Sequence, residues 1–268
     1  MFSQASKLLD IAKAKEKNKN NNTKTKIISI VSGKGGVGKT TVAANLSFTL
    51  SKLNKKVCLI DGDFGLPNLH LHFNVRPKIS IYDYIQSTKS IDDIKINIDN
   101  NLDLLPGKSG IEAVENLSIF VFIQMLDILK SNNQYDYIVI DCGAGMSEKI
   151  QEILKISDSL IGVTIREPSA LTDIYAFMKL SYRFLDQINL IFNQTNNMGH
   201  AVEITKQLDS LVAKNTDNNN FVLNILGIIS YDESILNSIR LKKLPTKEFL
   251  NTTITKEFNI LAKKIIKG

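Results

Sequence analysis

Gly33-Lys34-Gly35-Gly36-Val37-Gly38-Lys39-Thr40-Thr41 carries the residue types needed to hold a polyphosphate, at the spacing G-x-x-x-x-G-K-[ST]. The glycines let successive backbone N–H groups turn inward around phosphate oxygens. Lys39 supplies a point charge near β- and γ-phosphates, and the Thr40 hydroxyl suits Mg²⁺. Lys34 is a second lysine that phosphate binding alone does not require. Two later segments end in carboxylates. Val57-Cys-Leu-Ile-Asp61-Gly-Asp63 is an apolar run closed by Asp-x-Asp, and strand alternation sends both carboxylates the same way. A carboxylate there can hold Mg²⁺-bound water or orient an attacking water for phosphoryl transfer. Tyr137-Ile-Val-Ile-Asp141-Cys-Gly-Ala-Gly145 repeats the pattern. It sets a carboxylate near the metal, followed by glycines that permit a loop able to sense a γ-phosphate. The chemistry this set could perform is Mg²⁺-assisted phosphoryl transfer from a nucleoside triphosphate to water.

Such residues must be positioned by strands that end at one place. Residues 26–31 read as a short buried strand before the glycine loop, and 40–53 as a helix whose positive end faces the phosphates. Further strands are expected at 57–61, 102–105, 137–141, 160–165, 189–192 and 224–229, with helices at 111–130, 147–155, 171–185 and 200–213. Alternation of this kind predicts an α/β fold, a mostly parallel twisted sheet covered by helices on both faces, with the ligand at the carboxyl ends of the strands. No internal repeat is present.

The 268 residues suit one α/β domain with a large core. No apolar run approaches the ~18–20 residues of a membrane-spanning helix, and the N-terminus lacks the apolar core of a signal peptide. Cys58 and Cys142 read as small core residues in a reducing cytosol, and no C-x-x-C is present to suggest an iron–sulfur site. The net charge of +6 lies in two appendages. Residues 13–26 hold six Lys and one Glu, and residues 256–268 four Lys and one Glu, which leaves the body slightly acidic. That distribution argues against a DNA-binding groove, and no specific nucleic-acid partner is expected. Three parts follow: an amphipathic helix and Lys/Asn-rich linker at 1–25, an ATPase domain at 26–246, and a C-terminal amphipathic helix at 247–268. Phe2, Ala5 and Leu9 share one face of the first helix, which either docks on a partner or folds back on its own domain. At the other end Leu250, Ile254, Phe258, Leu261 and Ile265 fall within about 80° on a helical wheel, opposite Lys256, Lys263, Lys264 and Lys267. This helix either meets anionic lipids through residues 250–267 or caps the domain core.

The loop Gly33-Lys34-Gly35-Gly36-Val37-Gly38-Lys39-Thr40 resembles the deviant Walker A of the MinD/ParA class of P-loop ATPases. In that class the extra lysine, here Lys34, reaches the partner's phosphates across a nucleotide-sandwiched dimer. The resemblance implies that Lys34, Lys39 and Asp63 are catalytic, with Asp63 orienting water, and that Thr40, Asp61 and Asp141 serve the metal. By the same resemblance Arg166-Glu167-Pro168 lies at the ribose and the dimer interface, and Asn193 reads adenine. Ser230-Tyr231-Asp232 stands where relatives carry a proline-containing adenine loop, and the proline is missing here. Within the class the chain is similar to the FlhG (YlxH/FleN) family, which controls flagellar number. Asp141-Cys-Gly-Ala-Gly-Met-Ser resembles that family's Asp-Thr-Gly-Ala-Gly-Ile-Ser, with Cys142 replacing Thr. Glu167-Pro-Ser-Ala-Leu-Thr-Asp173-Ile-Tyr-Ala resembles its Glu-Pro-Thr-x-Ile-Thr-Asp-x-Tyr-Ala. Gln4-Ala5 with Leu8 and Leu9 is similar to the family's N-terminal activator helix, though Ser3 and Leu9 replace its Asp and Arg. The implied partners are a second copy of the chain, the GTPase FlhF through residues 1–12, flagellar switch (C-ring) proteins and inner-membrane lipids. The implied location is the cytoplasm, peripheral at the inner face of the cell membrane. MinD-type division-site placement and ParA-like DNA partition are the alternatives.

Overall fold

The computed structural model describes residues 24–108, 118–182, 185–215 and 221–268. The strands are β1 (Lys26–Val31), β2 (Val57–Gly62), β3 (Ile96–Asp99), β4 (Leu102–Leu105), β5 (Tyr137–Cys142), β6 (Ser159–Thr164), β7 (Gln187–Phe192) and β8 (Val222–Ile228). They form one sheet in the order β3-β4-β2-β5-β1-β6-β7-β8. Every pairing is parallel except β3 with β4, which is antiparallel and carries a register shift between Asn97 and Asp99. The longer helices are α1 (Lys39–Lys52), α2 (Ile119–Ser131), α3 (Glu148–Ile156), α4 (Pro168–Ser181), α5 (Met198–Asn215), α6 (Glu233–Arg240) and α7 (Thr253–Lys267). Single helical turns lie at Leu69–His72, Ile81–Ile85, Ile91–Ile94 and Pro245–Glu248.

The expected α/β architecture is present, with strand ends within one or two residues of their expected places. The edge strand β3 was not expected, because four residues, three half-buried and one exposed, with a bulge carry almost no alternation signal. The helix expected at 111–130 is described from Ile119 to Ser131, and its residues 111–117 lie outside the described residues. Residues 183–184 of the helix expected at 171–185 lie outside them too, as does the N-terminal segment 1–23.

Alternation along β1 divides the core. Ile27 and Val31 face the layer built by α2, α3, α4 and α5, while Ile28 and Ile30 face α1 and α7. The inner strands are apolar nearly throughout, as a sheet covered on both faces requires. Helix α7 distinguishes two readings of the sequence. Ile254, Phe258 and Leu261 are each 1% exposed and belong to the core cluster of α1. Of the two alternatives for this helix, capping the core is the one that Ile254, Phe258 and Leu261 follow, while Leu250, the first member of the stripe, lies before the helix and is 69% exposed. A 3.6-residue stripe specifies burial on one side without naming what buries it. A polar contact fixes the same corner: the Thr246 N–H and hydroxyl both donate to Asn45 Oδ1 on α1, at 3.0 and 2.9 Å.

Candidate functional site

The connections leaving the carboxyl ends of β1, β2, β5, β7 and β8 surround a cavity of about 470 Å³. β1 lies between β5 and β6, where successive crossovers diverge, the place such sheets use for ligands. Ser32, Gly35, Gly36, Gly38, Lys39, Thr40 and Thr41 form one wall. Helix α1 starts at Gly38, which has φ 88° and caps the helix without any side-chain hydrogen bond. Its first turn holds no acidic residue, so the partial positive charge of the helix end is left for an anion. Gly38 is required twice over: its φ is left-handed, and a Cβ there would sit 2.3 Å from Asn193 Nδ2. At Gly33 a Cβ would meet the Asp173 Cβ of α4 at 2.3 Å, so the loop can lie against that helix only as glycine.

Asp61 and Asp141 are register partners on β2 and β5, and both are fully buried behind the loop. The Lys39 ammonium donates to Asp141 Oδ1 at 2.8 Å. The Leu69 N–H donates to Asp61 Oδ2 at 3.0 Å. The remaining oxygens, Asp61 Oδ1 and Asp141 Oδ2, are buried with no protein donor. Burial first, and then the Asp141 charge, pushes Asp61 up to about 7. Burial also raises Asp141, against the pull of Lys39 and Thr40. Two adjacent carboxylates short of donors are suited to the water shell of a dication, so these residues fit Mg²⁺. Asp63 follows the strand and lines the cavity, with Oδ1 accepting from the Gly65 and Leu66 N–H groups at 3.1 and 3.0 Å. Asp61 and Asp63 thus divide, one behind the wall and one on it. Cys142 adjoins this set but is fully buried, which pushes its thiol up to about 12 and leaves it unreactive.

The cavity brings together Gly35, Gly36, Gly38, Lys39, Thr40, Thr41, Asp63, Asn193 and Asp232. Asp61 and Asp141 are buried behind it, the Val37 carbonyl accepts from Asn193, and Gly33 lies against Asp173 of α4. Lys34 and Glu167 stand apart from it. The Lys34 ammonium donates to Glu167 Oε2 at 2.7 Å and to Ser169 Oγ at 3.1 Å, with its side chain 41% exposed. Asn193 is committed to the loop: Nδ2 donates to the Val37 carbonyl at 2.8 Å, and Oδ1 accepts from the Gln194 N–H at 3.0 Å. Residues missed in the sequence complete the wall, among them Asn68, His72, Gln194, Ile235 and Phe258. Burial holds His72 down to about 4, so it is a neutral imidazole near neutral pH, with Nδ1 lacking a protein partner. Ile235 and Phe258 come from helices distant in sequence, whereas Asn68 and Gln194 lie in the connections beside Asp63 and Asn193.

A protein-family profile described as an AAA domain matches residues 25–196. The flagellum site-determining protein YlxH of Helicobacter pylori is 32% identical over 249 residues, covering 90% of this chain and 83% of that protein. The antiactivator FleN of Pseudomonas aeruginosa is 27% identical over 241 residues, covering 89% and 85% respectively. Among solved structures, the septum site-determining protein MinD of Pyrococcus horikoshii, complexed with Mg-ADP, is similar with a TM-score of 0.75 at 29% identity. That likeness covers 91% of this chain and 96% of the other.

Proposed function

This chain belongs to the FlhG (FleN/YlxH) family of MinD-like P-loop ATPases, and on that premise we propose that it is an ATP-driven dimerisation switch setting flagellar number or placement. The observation that carries the reading is the grouping of Lys39, Thr40 and Asp63 on one cavity, with Asp61 and Asp141 behind it and Lys34 outside it. ATP would lie with its phosphates along residues 33–40. Lys39 would exchange Asp141 for phosphate oxygens, and the first-turn amides of α1 would hold the same charge. Thr40, Asp61 and Asp141 would hold Mg²⁺, which when bound neutralises charge on the phosphates. Asp63 would orient the water that attacks the γ-phosphorus as the bond to the β-phosphate oxygen breaks, giving ADP and phosphate.

Lys34 would supply the dimer contact. Its ion pair with Glu167 is about half exposed on both sides, and such pairs contribute only about 0–1 kcal/mol, so releasing Lys34 toward a partner's phosphates costs little. Asn193 and Asp232 would border the adenine, and Glu167, outside the cavity beside Lys34, would stand at the dimer interface. Beyond the self-dimer, the proposed partners are the GTPase FlhF through residues 1–12, flagellar switch proteins, and anionic lipids at the inner face of the cell membrane.

Deleting the gene in its native host and counting flagella and minicells in the same micrographs tests the reading. Altered flagellar number or placement supports it. Normal flagella overturn it, with minicells then pointing to division-site placement and their absence to DNA partition.

A further inference from the structure

We propose that Tyr231 stacks on the base of the bound nucleotide, and that Glu257 of α7 is the positioning residue that holds it there. The proposal rests on the ATP-binding reading above and names the side chain that takes the base. The glycine loop and the start of α1 give the cavity its phosphate wall. The connection after β8 adds Ile229, Ser230, Tyr231 and Asp232 to the lining, beside Ile235 of α6 and Phe258 of α7. This part of the lining is largely apolar and holds no cation, which suits a base better than a phosphate. Tyr231 is 52% exposed, whereas Phe258 and His72, the other rings of the lining, are 1% and 7% exposed. Among the described residues it is the aromatic side chain of the lining with an open surface. An open ring beside a planar base favours offset stacking, which needs no pocket fitted to the base.

Both neighbours of Tyr231 are fixed. The Ile229 N–H donates to the Phe192 carbonyl at 2.9 Å, and the Ile229 carbonyl accepts from the Thr195 N–H at 3.0 Å. The Ser230 N–H then donates to Glu257 Oε2 at 2.9 Å, and the Ser230 hydroxyl donates to Glu257 Oε1. Glu257 thus spends both carboxylate oxygens on the residue just before Tyr231, in bonds that its charge strengthens. After Tyr231, the Asp232 carbonyl accepts from the Ile235 N–H at 3.1 Å, where α6 begins. The base of the clasp is held as well. Ile254, Phe258 and Leu261 bury α7 in the core, and the Lys264 ammonium donates to the Leu226 carbonyl of β8 at 2.6 Å. A ring carried on a segment tied at both ends loses little freedom when the base arrives.

The test measures the affinity of the full chain, with Mg²⁺, for ATP and for inorganic tripolyphosphate, which offers phosphates without a base. Tyr231→Ala should weaken ATP about tenfold and tripolyphosphate by less than about twofold, while Tyr231→Phe stays within about twofold for both. The chain has no tryptophan, so Tyr231→Trp puts a single reporter at the site. Its fluorescence should fall with ATP and stay unchanged with tripolyphosphate. Glu257→Ala should weaken ATP about fivefold, and Glu257→Gln should recover part of that loss. In a Tyr231→Ala background Glu257→Ala should cost nothing more, a coupling that a purely structural helix residue would not show. Tyr231→Ala binding ATP as the wild type does, or a tryptophan blind to bound ATP, would overturn the stacking. Losses that add in the double variant would overturn the role of Glu257. A wild type that binds neither ATP nor tripolyphosphate would instead sink the ATP-binding reading.

Discussion

Phe258→Ala decides whether α7 is a structural helix or a detachable one. The ring is 1% exposed, sits in the cluster with Val42, Leu46 and Leu50 of α1, and forms part of the cavity wall. Removing a buried phenyl ring costs about 3–5 kcal/mol, from lost transfer energy and the void left behind. In a chain of this size each kcal/mol moves the thermal midpoint by about 2–4 °C, so the midpoint should fall by roughly 6–20 °C. Leu250→Ala is the comparator: it removes a side chain 69% exposed and should stay within about 0.5 kcal/mol. Urea denaturation followed by circular dichroism measures both, with unchanged slopes showing that the unfolding transition is the same. ATP affinity should fall in Phe258→Ala as well. A variant within about 0.5 kcal/mol of wild type would refute the reasoning, because a stripe that truly fills the core cannot lose its largest member at no cost.

Asp63→Ala should abolish hydrolysis while leaving ATP binding and an ATP-trapped dimer; normal turnover would remove Asp63 from its role. Lys34→Ala should bind ATP as a monomer and lose ATP-dependent dimerisation, read by sedimentation velocity, with an unchanged profile refuting the cross-dimer contact. Asp61 gives a pH signature. Its carboxyl is raised from 3.8 to about 7 in the folded, nucleotide-free protein, which therefore holds a proton that the unfolded chain releases. The stability tied to that proton is present at acid pH and is lost as pH rises through about 7. Denaturation midpoints should fall over that window and flatten in Asp61→Asn. An identical slope in the variant would count against the assignment.

The phosphate loop and the inner strands were legible because their signals are local: glycine and lysine at fixed offsets, and apolar runs closed by Asp61 and Asp141. What lay beyond reach was decided by distant partners. Asn193 stands at a strand end, as expected, but its amide is held by the Val37 carbonyl and the Gln194 N–H, contacts no spacing could announce. Lys34 reads as a lysine surplus to phosphate binding; that it rests on Glu167, 133 residues away, depends on how α4 packs on the loop. The stripe of α7 was visible, but its owner was not, since a membrane and a core ask for the same periodicity. His72 and Phe258 join one cavity only after the chain has folded.

The bond between Asn45 and Thr246 sets an order of events during synthesis. The two residues are 201 positions apart, so at ~5–20 residues per second the ribosome needs roughly 10–40 s to supply the second after the first. During that interval α1 lacks both its polar clamp and the Phe258 wall. A nascent chain has its glycine loop early, yet the nucleotide site closes only when the C-terminal helix docks. The cavity wall thus depends on residues made long after the glycine loop they face.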